Sequence, residues 1–457
     1  MSNDSENPSS NPQPPALTAE EKEILEGDKI GETAYSKKWV LSILVRMAEV
    51  TRCGPAVKNE HDPQESDGEN EVDPVSEEEL CELWDMTMDS DVSNYLISQE
   101  GISVIEEVLI HEESPRKQEI YLGILANMAC TSNVCKEILK HPTIIDIALW
   151  YIKSPDTRSL IELSRLISVF ISNKECREEF IERLRSKLVV EEMISLLDNS
   201  LNVELLDIGT KVIDQLLFND GRILEELSSK KIVTLICDIY RRVAVKHPQT
   251  VGQLLHILQL ISTTEKGVSS LVSVEDSSLI AKIILKEGSK NISPSESSFQ
   301  SLASSCCVLN VVMCADEKKT KQFSDEELEI LLTVLTFAEE LCAHLSCYEG
   351  NLDKESREKD VDYDDYDALD MYLDYLDAVV DFLVVLSEMF LSAKISKEMQ
   401  KSLEERRNEL QSILTILDDI PKHSSNAKKI KLLFKIKGTD EDCTENATDK
   451  SKEIKQR

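Results

Sequence analysis

The feature that most limits how this chain can fold is a recurrence. Pro115, Pro155, Pro248 and Pro294 each open an apolar helical run, and Asn202 takes the corresponding place between Pro155 and Pro248. The successive steps are 40, 47, 46 and 46 residues. The order of runs after each opening also repeats: a long run, a short one, then one of middle length. In the first round these are Ser114 to Cys130, Val134 to Leu139 and Ile144 to Ile152. In the second they are Leu160 to Ile171, Cys176 to Leu184 and Leu188 to Leu197. The third and fourth rounds keep the order from Leu205 to Val243 and from Val251 to Leu285, and the fifth spans Phe299 to Leu345 with a weak middle piece. Rounds of this length built from helices are the signature of armadillo or HEAT repeats, and three helices per round favour armadillo. The predicted fold class is all-α, an armadillo/HEAT-like helical repeat solenoid.

The first long run shows why such helices need neighbours. Ile120, Ile124 and Met128 recur at four-residue spacing, and Leu122, Leu125 and Ala129 form a second row beside them. Both flanks are therefore apolar and must be covered. Pro115 fits the first turn, where a missing N–H costs nothing, and Ser114 suits the cap before it. A repeat stack has no upper size limit because each round packs only on the next, so 457 residues need no second fold. The 13 glycines and the absence of alternating strand patterns agree with an all-helical chain.

Charge narrows the partners. The chain carries 51 Lys and Arg against 86 Asp and Glu, a net −35. Such a balance repels nucleic acid and anionic membrane surfaces, and it leaves a protein as the expected partner. That partner is basic if the charge recruits it; otherwise the acidic segments only keep the protein soluble. No 18 consecutive residues are all apolar, so no membrane span is expected. Met1 to Pro15 holds no apolar signal core, which predicts an intracellular protein whose twelve cysteines are reduced. A monomer is expected.

The organisation along the chain is set by composition. Residues 1–26 are polar and expected to be disordered. Residues 27–52 hold one amphipathic helix with Trp39, Ile43 and Met47 on a face, read either as a cap on the first repeat or as a detachable docking motif. Residues 53–78 form an acidic linker, 79–348 the helical repeats, and 349–366 an acidic flexible insertion. Residues 367–437 are C-terminal helices with a basic end, and 438–457 a disordered tail.

Three blocks carry a resemblance. They are Gly-Asp-x-Ile-Gly-x-Thr-x-Tyr-Ser-x-x-Trp at Gly27 to Trp39, Cys-x-x-Trp-Asp-Met-x-Met-Asp at Cys81 to Asp89, and Gly-Ile-Leu-x-Asn-Met-Ala-Cys at Gly123 to Cys130. With Leu163-Ser164-Arg165-Leu166 and His256-Ile257-Leu258-Gln259-Leu260, the chain resembles the serum amyloid A-like protein family from about Gly27 to Val272, the match fading afterwards. The resemblance implies an armadillo-type, non-enzymatic protein, largely nuclear with or without a cytoplasmic pool, that promotes cell proliferation.

Armadillo proteins often hold an extended peptide through asparagines on the long helix, and Asn127 resembles that position. The later rounds do not keep it: Ser168, Asp214 and Gln259 stand near the corresponding places, and Trp39, Trp84 and Trp150 form no ladder. Asn127 is thus either a partner contact or a bond to a neighbouring turn. Trp39, Glu119, Arg165, Asp214 and Gln259 are further candidate contacts.

Chemistry is nearly absent. There is no phosphate-binding glycine loop, and His111-Glu112-Glu113 stops short of a His-Glu-x-x-His pair. Cys342, His344 and Cys347 lie on an apolar helical run where they do not converge, so neither metal nor cofactor is expected. Cys130, Cys135, Cys306, Cys307 and Cys314 read as small core residues. Asp360 to Asp365 begins like a calcium loop, but Asp365 and Met371 occupy the places of its glycine and its bidentate glutamate. Asp367, Asp370, Asp374, Asp377 and Asp381 instead line one face of a helix, opposite Leu369, Leu373, Leu376, Val380 and Leu383. This stripe is either a solvated face or a dock for a basic partner. Lys428, Lys429 and Lys431 form a candidate nuclear signal, or pair with the stripe.

Overall fold

The computed structural model describes residues 26–53, 74–186, 188–243, 247–288, 296–315, 324–355, 363–392, 401, 402 and 405. The disordered segments expected at the two ends (residue 26 excepted), most of the acidic linker, Pro294, and Lys428, Lys429 and Lys431 lie outside the described residues. The chain divides into two compact units, Met1–Met193 and Ile194–Arg457.

In the first unit the helices are α1 (Lys37–Cys53), α2 (Glu77–Met86), α3 (Ser90–Ser98), α4 (Gly101–His111), α5 (Pro115–Ala129), α6 (Ser132–Leu139), α7 (Pro142–Trp150), α8 (Thr157–Ser172) and α9 (Arg177–Ser186). Helix α10 (Val189–Asn199) carries the division between the units. The second unit continues with α11 (Val203–Asn219), α12 (Gly221–Leu227), α13 (Lys230–Val243), α14 (Pro248–Ile261), α15 (Glu265–Ser273), α16 (Glu275–Gly288), α17 (Glu296–Ala315), α18 (Asp325–Glu355) and α19 (Tyr363–Ser392). The described elements are helical throughout, apart from a single bridge between Lys29 and Ser36. This is the all-α, armadillo/HEAT-like helical repeat architecture that the spacing predicts.

Each repeat packs like on like. Helices α2, α5 and α8 lie side by side, as do α1, α4 and α7, and α3 lies on α6. In the second unit α11, α14, α17 and α19 form the corresponding row, with α13, α16 and α18 as another. Ile120, Leu122, Ile124, Leu125 and Met128 are all buried, so both apolar flanks of α5 are covered. Pro115 and Pro248 stand at the first turn of α5 and α14, and Asn202 caps α11 by accepting from the Leu205 N–H at 2.9 Å. At the second opening the cap is Asp156, beside Pro155, which accepts from the Ser159 N–H at 2.8 Å. Ser114 occupies the N-cap of α5, but its side chain makes no capping bond.

The sequence also holds a triplet before the first predicted round. Helix α2 opens with a reciprocal capping box: the Glu79 N–H donates to Ser76 Oγ (3.2 Å), and the Ser76 N–H donates to Glu79 Oε2 (2.9 Å). On this triplet α1 docks, with Ile30, Val40, Ile43, Leu44 and Met47 buried. The first motif block shapes its entry. Asp28 accepts from Ser36 Oγ and from the Lys38 N–H (3.0 Å), while Gly31 turns with φ +54°, where the Asp91 carboxylate leaves no room for a Cβ. Arg46 then pairs with Glu79 across the two helices, which, with the Ser76 N–H, holds the Glu79 carboxyl below its usual pKa.

Three details differ from expectation. Helix α18 runs on to Glu355 and α19 begins at Tyr363, so both ends of the expected flexible insertion are helical. Cys130, the C-cap of α5, and Cys314, next to the last residue of α17, are exposed rather than core residues, and Cys307 is half-buried; Cys135 and Cys306 are buried. Finally, Ser298–Ala315 is uncharged and, by length and composition, apolar enough to cross a membrane, although it is not a run of apolar residues alone. Phe299, Leu302, Cys306, Leu309 and Val312 of this helix are buried against α14, α16 and α19, the placement of a core helix.

Candidate protein-interaction surface

The second and third motif blocks meet at one joint. Gly123 lies under the Trp84 indole: a Cβ built at Gly123 would fall 2.2 Å from Trp84 Cε2. Asn127, buried, donates through Nδ2 to the Trp84 carbonyl at 2.8 Å and to Thr87 Oγ1 at 3.4 Å. Of the two roles open to Asn127, the structure shows the bond to a neighbouring turn. Arg165 donates to the Gly123 carbonyl at 3.0 Å and pairs with Glu162 at 2.8 Å. These contacts tie α2, α5 and α8 together along the spacing of the repeat.

The other candidate residues on the long helices do the same work. Glu119 is buried and accepts from Arg116 at 2.7 Å; Arg116 also reaches Glu77 at 2.9 Å. These two carboxylates, Glu119 first, raise the Arg116 pKa and fix its positive charge. In the second unit Asp214 meets His256 Nδ1 at 2.6 Å, and Gln259 Oε1 accepts from Ser304 Oγ at 2.7 Å. Thr250 donates to Asp207 in the same row. The polar residues of the long helices thus bond from one repeat to the next, 42 to 45 residues apart. Sequence reasoning places them on equivalent positions; it does not say which way they point.

Trp39 is half-buried on α1, beside the buried Val40 and Ile43. On α19 Asp374 and Asp381 are exposed and Asp377 is half-buried, while Leu376, Val379, Val380 and Leu383 are buried. Asp374 and Asp381 thus face solvent and Asp377 is partly covered; the side chains of Asp367 and Asp370 lie outside the described residues. His344 packs its ring on Phe299 (5.3 Å) and Tyr372 (4.8 Å), and Cys342 is buried, where desolvation pushes its thiol up to about 12.

One open surface was missed by sequence reasoning. In the first unit a groove of about 940 Å³ lies between the end of α4, the turn into α5, and α7. Ile110 and Trp150 line it and are 52% and 68% exposed. On α7, Asp146 and Trp150 are four residues apart and share a face. The turn is held in place: Glu112 Oε1 accepts from the Ser114 N–H (2.8 Å) and its carbonyl accepts from Gln118 Nε2 (2.7 Å). The opposite wall is fixed by Tyr151, whose buried hydroxyl donates to the Leu109 carbonyl at 2.9 Å. Burial, with Glu112 adding to it, raises the Tyr151 pKa and keeps that donor protonated. The Trp150 ring stands edge-on to Tyr151, centroids 5.7 Å apart.

Comparison with known proteins agrees with the motif reading. Residues 189–413 match the SAAL1 C-terminal domain, so the likeness continues well past Val272, where the motif blocks fade. The zebrafish (Danio rerio) "Protein saal1" is 29% identical over 282 residues, 58% of each chain. The human (Homo sapiens) "Protein SAAL1" is 29% identical over 273 residues, 55% of this chain and 56% of that one. The chain thus spans rather more than half the length of the curated relatives it matches. Over these stretches the chain is similar to SAAL1 proteins. Among solved structures, a designed armadillo repeat protein aligns over 59% of this chain and 98% of its own with 11% identity and a TM-score of 0.44. A chain from a cadherin and beta-catenin structure aligns over 88% and 70% with 10% identity and a TM-score of 0.47.

Proposed function

We propose that this chain is a SAAL1-family, non-enzymatic helical-repeat scaffold that works by binding another protein. The observation that carries this reading is the division of labour in the first unit. The polar residues Asn127 and Arg165 of the long helices donate to backbone carbonyls of the preceding repeat, whereas an apolar groove with an exposed tryptophan stays open on another face. An exposed Trp beside an exposed Ile in a held concavity is the composition of a binding hot spot. The family resemblance adds the setting: the nucleus, with or without a cytoplasmic pool, and promotion of cell proliferation.

A second reading is an acidic carrier that binds basic proteins electrostatically, favoured by the exposure of Asp374 and Asp381 on α19. Salt separates the two, because the Debye length falls to about 3 Å at 1 M salt. The test is affinity capture from nuclear extract by the full chain and by Asp374→Asn/Asp377→Asn/Asp381→Asn, washed at low and high salt. A specific partner kept at high salt and by the triple variant supports the scaffold. A partner lost in both supports the carrier. Recovery of none from either chain refutes both.

A further inference from the structure

The groove in the first unit carries more than an apolar contact. Its rim bears Glu112, Glu113 and Asp146, and among the described residues neither lysine nor arginine lines it. Asp146 and Glu113 are exposed, and Glu112 is half-buried and fixed by its bond from the Ser114 N–H. An adjoining hollow of about 430 Å³ shares Pro142 and Asp146 and adds Glu179 and Glu182. The cation that lines this hollow, Arg183, faces Glu179 at 3.9 Å and donates to the Pro142 carbonyl at 3.4 Å. Glu182 in turn pairs with Arg185 at 3.0 Å, so the acidic character rests on Glu112, Glu113 and Asp146 in the groove that holds the Trp150 ring.

That combination selects a cation on an apolar stem. Carboxylates attract it, the Trp150 ring accepts it through its quadrupole, and Ile110 and Ile147 cover the methylenes. The cation–π partner of choice is tryptophan, and it is most effective when the contact is partly desolvated, as it is within a groove. We propose that this groove binds a basic, extended segment of a partner protein, with a lysine or arginine side chain laid over Trp150 and its charge toward Glu113 and Asp146. The inference rests on the scaffold reading and names the chemistry of the partner for one surface. It assigns recognition to the α4–α7 side of the repeats, away from the long-helix row to which Asn127 belongs.

The test uses the full chain and a short fluorescein-labelled peptide alternating arginine and leucine, with the matching glutamate–leucine peptide as control, read by fluorescence anisotropy at physiological ionic strength. Trp150→Ala should weaken binding of the basic peptide about tenfold, the loss of one partly desolvated cation–π contact. Glu113→Gln/Asp146→Asn should weaken it by a similar factor, while Asp374→Asn/Asp381→Asn should leave it unchanged. Trp150 is largely exposed, so its variant should retain the wild-type melting curve. Equal loss with the α19 variant, or no loss with Trp150→Ala, overturns the proposal in favour of diffuse attraction to an acidic chain. Absence of basic-peptide binding overturns it too. A captured partner indifferent to Trp150→Ala would remove this site and leave the scaffold reading standing.

Discussion

Replacing Gly123 by alanine sets two effects of opposite sign against each other. Gly123 lies inside helix α5, where alanine gains about 1 kcal/mol over glycine in intrinsic helix stability. The new methyl, however, would lie 2.2 to 2.5 Å from Trp84 Cε2, Cζ2 and Nε1, well inside van der Waals contact. The indole is half-buried, and a side-chain rotation that cleared the methyl would give up its packing on α5. Overpacking of this kind costs about 1–3 kcal/mol, and the net expectation is destabilisation by about 1 kcal/mol. Urea unfolding followed by tryptophan fluorescence and circular dichroism measures it. The sign is the test: in a Trp84→Ala background the clash is gone, and Gly123→Ala should become stabilising by about 1 kcal/mol. If Gly123→Ala stabilises the wild-type chain, or if its effect is the same in both backgrounds, the packing of the two motif blocks on each other is not what fixes Gly123.

Other expectations can be checked alongside. Asn127→Ala removes one of two donors to the Trp84 carbonyl, which keeps the Thr87 hydroxyl at 2.6 Å, and should cost about 1 kcal/mol in the same unfolding assay. Brief alkylation of the native protein near pH 8 should modify Cys130 well before Cys135, Cys237 and Cys342, which are buried; desolvation pushes the Cys237 thiol up to about 12, and peptide mass spectrometry reads the order. Bonds from Arg46 and the Ser76 N–H lower the Glu79 pKa from its ordinary value of 4.5, so this contribution to docking is present above 4.5 and is lost as pH falls below it through the depressed value. Protection factors for hydrogen exchange in helix Lys37–Cys53, taken relative to the intrinsic rate at each pH, should accordingly fall on acidification through that window, and more so than in an Arg46→Ala variant, where the contact is already missing.

Much of the fold is legible in the chain because each long helix opens on a residue that punctuates sequence strongly. Pro115, Pro155, Asn202 and Pro248 mark the starts, and the apolar rows on α5 show that both flanks are covered. The first triplet is harder to see because its proline, Pro74, stands within the acidic run that precedes the repeats; its clearer signal is the Ser76–Glu79 capping box, a shorter pattern. The equivalent positions of Asn127, Asp214 and Gln259 are also legible. Their bonds are not, since a polar residue on a long helix reads the same whether it faces a ligand or the next repeat. The groove escapes for a different reason. Its walls come from residues 110–113 and 142–151, two rounds of the repeat brought together only by packing of α4 on α7. Read alone, His111-Glu112-Glu113 is an incomplete metal motif and Trp150 an isolated aromatic.

The most direct test of the account is site-specific photocrosslinking in living cells. A photoreactive phenylalanine replaces Thr143, an exposed residue that lines the groove and leaves Trp150 intact, in one variant and, in another, Leu201, a control position that is 83% exposed. The account predicts a discrete heavier adduct containing one other protein from position 143 and none from position 201. Absence of any adduct at position 143, or the same smear of products at both, would contradict the claim that this protein works by holding a partner in that groove.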